Sequence, residues 1–150
     1  MKTANWRMRT IKDEQQIKII AQEVRAWAEH IQKQTMNLFS SNLLGLCAIS
    51  SAYLFCKLKE AGIETHIVSN HKHCFLITKD DFVVDVTATQ FGFEKILITP
   101  HSEIINFSSY YFKREIHDSV DSLHLTQIKH GWPAHQTVNP VDNQLALVTI

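Results

Sequence analysis

The sequence predicts a single domain of the α+β class, in which two helices lead into a small antiparallel sheet. Three observations carry this expectation. Apolar residues recur at spacings of three and four over residues 11–34, the period of an amphipathic helix. A second helical stretch follows over 43–61. Beyond Gly62 the period changes to short β-branched and apolar runs separated by polar turns, the pattern of strands and hairpins. Helices grouped ahead of strands, without a βαβ alternation, argue for α+β. The 150 residues suit one domain over 1–150, and the four glycines and three prolines never cluster into a linker.

In the first helix Ile17, Ile20, Val24, Trp27 and Ile31 share a face, with Lys18, Glu23, Arg25 and Glu29 on the other side. Residues 35–42 are polar and form a connection. The second helix has Cys47, Leu54 and Leu58 on one face, Tyr53 and Ala61 beside them, and a stop at Ala61-Gly62. Lys57 and Lys59 sit favourably at its negative end. Strands are expected over 63–69 and 74–78, joined by the turn Asn70-His71-Lys72. A third runs over 82–86 after Lys79-Asp80-Asp81, and a short one over 96–99 ends before Pro100. A further helix over about 116–130 ends at Gly131, ahead of the breaker Trp132-Pro133. The apolar tail 145–150 is expected to pair as an edge strand.

Composition excludes several functions. Fifteen basic residues balance fifteen acidic ones, so the chain lacks the surplus charge of a polyanion binder, and no nucleic-acid partner is expected. No run approaches the ~20 apolar residues that span a bilayer, and no membrane partner is expected. The basic start, Lys2 to Arg9, leads into Lys12-Asp13-Glu14 with no apolar segment of a cleaved signal. Three cysteines, at 47, 56 and 74, form no Cys-x-x-Cys motif and read as reduced thiols. The expected location is cytoplasmic, or inside a target cell reached without a classical signal peptide.

Nine histidines and three cysteines remain to be sorted. Cys47 follows Gly45-Leu46 near the start of the second helix, where aligned peptide dipoles favour the thiolate that attacks carbonyls. The bland reading is a small core residue on the apolar face. His73 opens one expected strand, and Asp85 lies near the end of the next, interrupting the apolar run of Val83, Val84 and Val86. A tight turn at 79–81 brings those strands side by side. A carboxylate there needs a partner, and a histidine it orients becomes a base toward a thiol. The alternative has Asp85 capping the Thr87 turn and His73 on the surface. Cys74, adjacent to His73, faces the other side of its strand, and Cys56 lies near the far face of the helix; both read as packing residues. Gln90 follows the aspartate and is a candidate lining residue of a substrate cleft. Asn42 is a candidate oxyanion donor beside the Cys47 backbone N–H, and serves equally as a helix N-cap. His71, His73, Cys74 and Asp85 offer metal-ligand types, but no zinc spacing completes a set, so neither metal nor cofactor is expected.

The order Gly45-x-Cys47-x-x-Ser50, then His73-x-Phe75, then Asp85-x-Thr87 resembles the papain-like superfamily in its transglutaminase-like branch. The resemblance covers residues 43–91, about a third of the chain. It implies a papain-like core, with the nucleophile helix packed on a small antiparallel sheet and the N-terminal helix as an addition. It implies Cys47 as nucleophile, His73 as base and acid, and Asp85 as the residue orienting His73. The family includes transglutaminases, peptidases and effectors that deamidate glutamine. The small size favours the last: a thiol-dependent amidohydrolase whose partner is a protein carrying a glutamine or other amide. A cysteine peptidase or transglutaminase uses the same triad, and a non-catalytic protein-binding domain keeps the fold without it. Two departures stand out. Ala48 replaces the aromatic residue that often follows the cysteine, and Leu46 stands where many members carry an oxyanion-binding glutamine nearby.

Overall fold

A computed structural model describes residues 11–35, 39, 42–70, 73–111, 115–141 and 144–145. It is a mixed α+β arrangement of four α-helices and a five-stranded antiparallel sheet. Helix α1 is Glu14–Gln34 and α2 is Cys47–Glu60. Strands β1 (Thr65–Ser69), β2 (Cys74–Thr78), β3 (Phe82–Asp85) and β4 (Leu97–Pro100) follow. The one-turn helix α3 (His101–Ile104), strand β5 (Ile116–His117) and helix α4 (Val120–Lys129) come next. A separate two-stranded ribbon pairs β6 (Pro140–Val141) with β7 (Gln144–Leu145). No described helix is long and apolar enough to cross a membrane.

The sheet order is β4-β3-β2-β1-β5. Four consecutive strands form a meander, and β5 returns to the free edge of β1, with Ile67 opposite His117. One face of the sheet carries Ile67, Cys74, Leu76 and Val84, which pack with α2 and the buried stripe of α1: Ile17, Ala21 and Val24. Full burial of such aliphatic side chains stabilises by about 1.5–3 kcal/mol each. The other face carries Val68, Phe75, Ile77, Val83 and Leu97, covered by Tyr110 and Ile104. Since Ile77 lies opposite Val83, the period of two places His73 and Asp85 on this second face.

Three departures from the sequence expectations matter most. Helix α2 begins at Cys47, not residue 43, because Leu43 (φ 68°) and Gly45 (φ 94°) are left-handed and prevent a helix there. Pro100 belongs to β4, opposite Phe82; β4 is an edge strand, where a proline's missing N–H costs no ladder bond. The stretch expected as one helix over 116–130 divides. Ile116–His117 pairs with β1, and α4 starts only after Ser119, whose Oγ accepts the Ser122 N–H at 3.1 Å. On α4, Val120 and Leu123 are buried while Leu125 and Ile128 face outward. The expected edge strand over 145–150 lies, beyond Leu145, outside the described residues, as do His71 and Lys72 of the first hairpin turn.

Buried Arg25 ties α1 to the segment after β3. Its Nη1 donates to the Val86 carbonyl and to Thr89 Oγ1, both at 3.0 Å, while Nε pairs with Glu29 at 3.2 Å. Thr89 Oγ1 in turn donates to the Asn42 carbonyl at 3.1 Å. Helix α1 thus anchors two loops, one after Asp85 and one before Cys47.

Candidate active site

Asp85 closes β3 and is 1% exposed. Its two oxygens divide the work. Oδ1 accepts the Thr87 backbone N–H at 2.8 Å and the Thr87 hydroxyl at 3.2 Å, the turn-capping role. Oδ2 lies 2.5 Å from His73 Nε2 and accepts the Tyr110 hydroxyl at 2.6 Å. The carboxylate thus caps the Thr87 turn with one oxygen and pairs with His73 through the other, but His73 is buried, not on the surface as the capping alternative had it. Burial alone raises its pKa, but His73, Tyr110 and the Thr87 amide prevail and hold it below the usual carboxylate value.

His73 stands immediately before β2 with its ring wholly buried. Its N–H donates to Asn70 Oδ1 at 2.9 Å, and the Asn70 N–H donates back to the His73 carbonyl at 2.9 Å, closing the hairpin. Phe75 stacks on the imidazole, and Phe91 and Tyr110 meet it edge-on. This cage leaves few ring orientations. Burial disfavours the imidazolium, yet the Asp85 charge and hydrogen bond, with a smaller contribution from the Cys47 sulfur nearby, raise the His73 pKa to about 10. With Nε2 engaged by Asp85, Nδ1 is the nitrogen left for the thiol; Gln90 Nε2 lies 3.4 Å from it.

Cys47 is the first residue of α2 and is 6% exposed. Among the described residues no side chain caps the helix's first turn. Its amide groups are left open to a negative charge. Gly45 is required where it stands. A Cβ there would lie 3.1 Å from a Phe39 ring carbon and 3.2 Å from Gln136 Nε2, on a backbone that side chains rarely adopt. Cys47 opens onto a cavity of about 710 Å³, whose walls include Leu44, Gln90, Glu115, Trp132 and Gln136. Comparison with known proteins finds no matching family model, curated protein or solved structure.

The structure brings Cys47, His73 and Asp85 together and puts Gln90 on the cleft wall, where its Nε2 also donates to the Thr87 carbonyl at 3.0 Å. Asn42 is placed differently from the expectation. Its Oδ1 accepts the Leu44 N–H at 3.2 Å, it caps no helix since Leu46 holds the N-cap position, and it is not among the residues lining the cleft. The carboxamide beside Gly45 belongs instead to Gln136. Buried Gln127 fixes that segment, donating to the Gln136 carbonyl at 3.0 Å and accepting the Val138 N–H at 2.8 Å. Cys74 is a fully buried core thiol whose pKa burial pushes well up, and Cys56 packs at the core's edge. Among the described residues no group of three or more His, Cys, Asp or Glu side chains is arranged to hold a metal ion; His71 lies outside them.

Tyr110 escaped the sequence reading. It sits in a 3₁₀ turn, Ser108–Tyr110, and the carbonyls around it are held one by one. Asn70 Nδ2 donates to Ser109 at 3.0 Å and to Tyr111 at 2.8 Å, while His101 Nε2 donates to Tyr110 at 2.9 Å. Burial, then the Asp85 charge, push its pKa above the ordinary phenol value, so it remains a donor to Asp85. Tyr110→Phe removes one hydrogen bond to a buried charge. The expected cost is about 1.5–3 kcal/mol of stability, read from urea midpoints.

Proposed function

We propose that the protein is a thiol-dependent amidohydrolase of papain-like, transglutaminase-like architecture, which deamidates glutamine side chains of a protein. The observation that carries this reading is the buried Asp85–His73 pair, next to a cysteine that starts a helix, opens onto a cleft and acts electrostatically on the imidazole. A purely structural ion pair does not require a thiol at an open helix terminus. The order of elements, with α2 packed against the sheet and its first residue at the His73–Asp85 end, supports the architectural reading.

The steps follow from the geometry. With its raised pKa His73 already holds a proton on Nδ1 at neutral pH, so the Cys47 sulfur attacks the carboxamide carbon as the thiolate paired with that imidazolium, forming a C–S bond as the carbonyl electrons move to oxygen. The Cys47 backbone N–H and Gln136 Nε2 stabilise that oxyanion. The C–N bond breaks as His73 gives its proton to nitrogen, releasing ammonia. Water then attacks the thioester, giving its proton to His73; the C–S bond breaks, leaving glutamate and the restored pair of thiolate and imidazolium. Asp85 keeps the imidazole oriented throughout.

Gln136→Ala should lower kcat by about 10²–10³ with little change in KM, because the oxyanion contact strengthens only in the transition state. The fold should survive, since Gln127 holds Gln136 through its backbone carbonyl. The reaction itself is tested by incubating the protein with candidate substrates and mapping a ~1 Da gain at glutamine, with release of ammonia. Cleaved peptides or amine adducts formed through Cys47 would replace deamidation with hydrolysis of the backbone or transamidation. No product of any kind would leave a binding domain.

A further inference from the structure

The cavity at Cys47 does not end the groove. A second basin of about 470 Å³ adjoins it, lined by Ser69, Ile105, Asn106, Ser108 and Tyr111. Asn70 and Glu115 line both, so the two basins adjoin at these residues. The first basin alone is large for one carboxamide side chain, falling in the ~300–1,000 Å³ range of sites for much bigger ligands. The second is surplus to it. Asn70 is fixed where the basins meet, by bonds to Ser109, Tyr111 and His73.

The lining has a definite chemistry. Ile105 and Tyr111 are exposed apolar side chains at one end of the groove, and Leu44, 57% exposed, stands at the other. Exposed apolar residues gathered along a cleft mark a contact surface better than scattered ones do. Among the described residues, Glu115 is the one acidic side chain in either basin, and no lysine or arginine lines them. Its carboxylate is partly open to solvent, with His130 Nε2 at 3.6 Å.

We propose that the groove binds an extended polypeptide segment. The reacting glutamine lies over Cys47, a basic side chain sits beside Glu115, and an apolar side chain enters the basin of Ile105 and Tyr111. The proposal rests on the deamidase reading for the identity of the residue over Cys47. The substrate is then a protein segment with a recognisable pattern rather than free glutamine or a small amide. The pattern is glutamine with a lysine or arginine and an aliphatic or aromatic residue nearby.

The test uses the Cys47→Ala protein and short fluorescein-labelled peptides with one central glutamine. Lysine, serine or glutamate, and leucine or serine, are placed in turn on either side, and binding is followed by fluorescence anisotropy. Peptides with lysine and leucine on the correct side should bind at least about tenfold tighter than the all-serine peptide, the scale of one buried aliphatic side chain. Ile105→Asp, or Tyr111→Ala should the first variant fold poorly, should erase the leucine advantage and leave the lysine advantage. Glu115→Gln should do the reverse. Equal binding of all peptides, or advantages untouched by these variants, overturns the proposal. Patterned binding without glutamine hydrolysis by the unmodified protein would sink the deamidase reading and keep the groove assignment; hydrolysis without patterned binding would do the opposite.

Discussion

Replacing Cys47 with alanine should abolish glutamine hydrolysis, lowering kcat by at least ~10⁴, the scale seen when a nucleophile is removed from a coupled catalytic set. The loss should be confined to chemistry. Cys47 is small, and alanine retains the Cβ it contributes to the core shared with Ala48, Leu54 and Cys74. Fold and urea midpoint should stay within about 1–2 kcal/mol of the original, so inactivity cannot be ascribed to unfolding. Cys56→Ala and Cys74→Ala are the controls. Each should cost some packing energy and leave kcat largely intact, because neither thiol opens onto the cleft. Equal loss in all three variants would show that the thiols matter for packing alone.

The second large effect is expected from Asp85→Asn, through both rate and stability. Asparagine offers one acceptor oxygen and one NH₂ donor where Asp85 presents two acceptors. Three donors now converge on the carboxylate besides His73: the Thr87 amide, the Thr87 hydroxyl and the Tyr110 hydroxyl. Whichever way asparagine turns, its NH₂ faces a donor. A stability loss of about 2–4 kcal/mol follows from a buried pair left mismatched. The kcat should fall by about 10²–10⁴, since His73 loses the group that holds its tautomer.

The same variant carries a pH signature. In the folded protein the His73 pKa rises to about 10, above the ordinary ~6.5, so its stabilising contribution is full below about pH 6.5 and is lost as pH rises through about 10. Asp85 is held below its ordinary ~3.9, so its contribution is present above that value and is lost as pH falls through the lower folded value. The pair thus contributes most between about pH 4 and 6.5. Urea midpoints of the native protein should decline above that window. Asp85→Asn should flatten the alkaline decline, because His73 no longer has a charge to retain its proton.

Local periodicity sufficed where elements are regular and their contacts short in sequence. The three- and four-residue spacing from Ile17 to Ile31 marks α1, and the alternating runs mark β1 to β3. A turn at 79–81 was enough to put His73 beside Asp85, twelve residues on. Long-range contacts through irregular backbone left no comparable signal. Tyr110 reaches Asp85 across 25 residues from a 3₁₀ turn, and Gln136 reaches the Gly45 loop from another. Strand β5 is only two residues long and exists because β1 offers it an edge; locally, Ile116 and His117 read as the start of α4. The left-handed turn at Leu43 hid the true start of α2, since leucine gives no warning of a positive φ, although Gly45 does. Asn42, five residues before Cys47, therefore looked better placed than it is.

The central claim is that Cys47 is a nucleophile activated by His73, and competitive alkylation tests it most directly. The protein is treated briefly with iodoacetamide at neutral pH, and modification of each cysteine is followed by mass spectrometry. Exposure and chemistry predict opposite orders. Cys47 is only 6% exposed, whereas Cys56 is the more accessible thiol and Cys74 is fully buried. An activated thiolate at a helix terminus should nevertheless make Cys47 react at least about tenfold faster than Cys56, and His73→Asn should abolish that lead. If Cys56 is modified first, or if Cys47 keeps its rate without His73, the two do not form a catalytic pair.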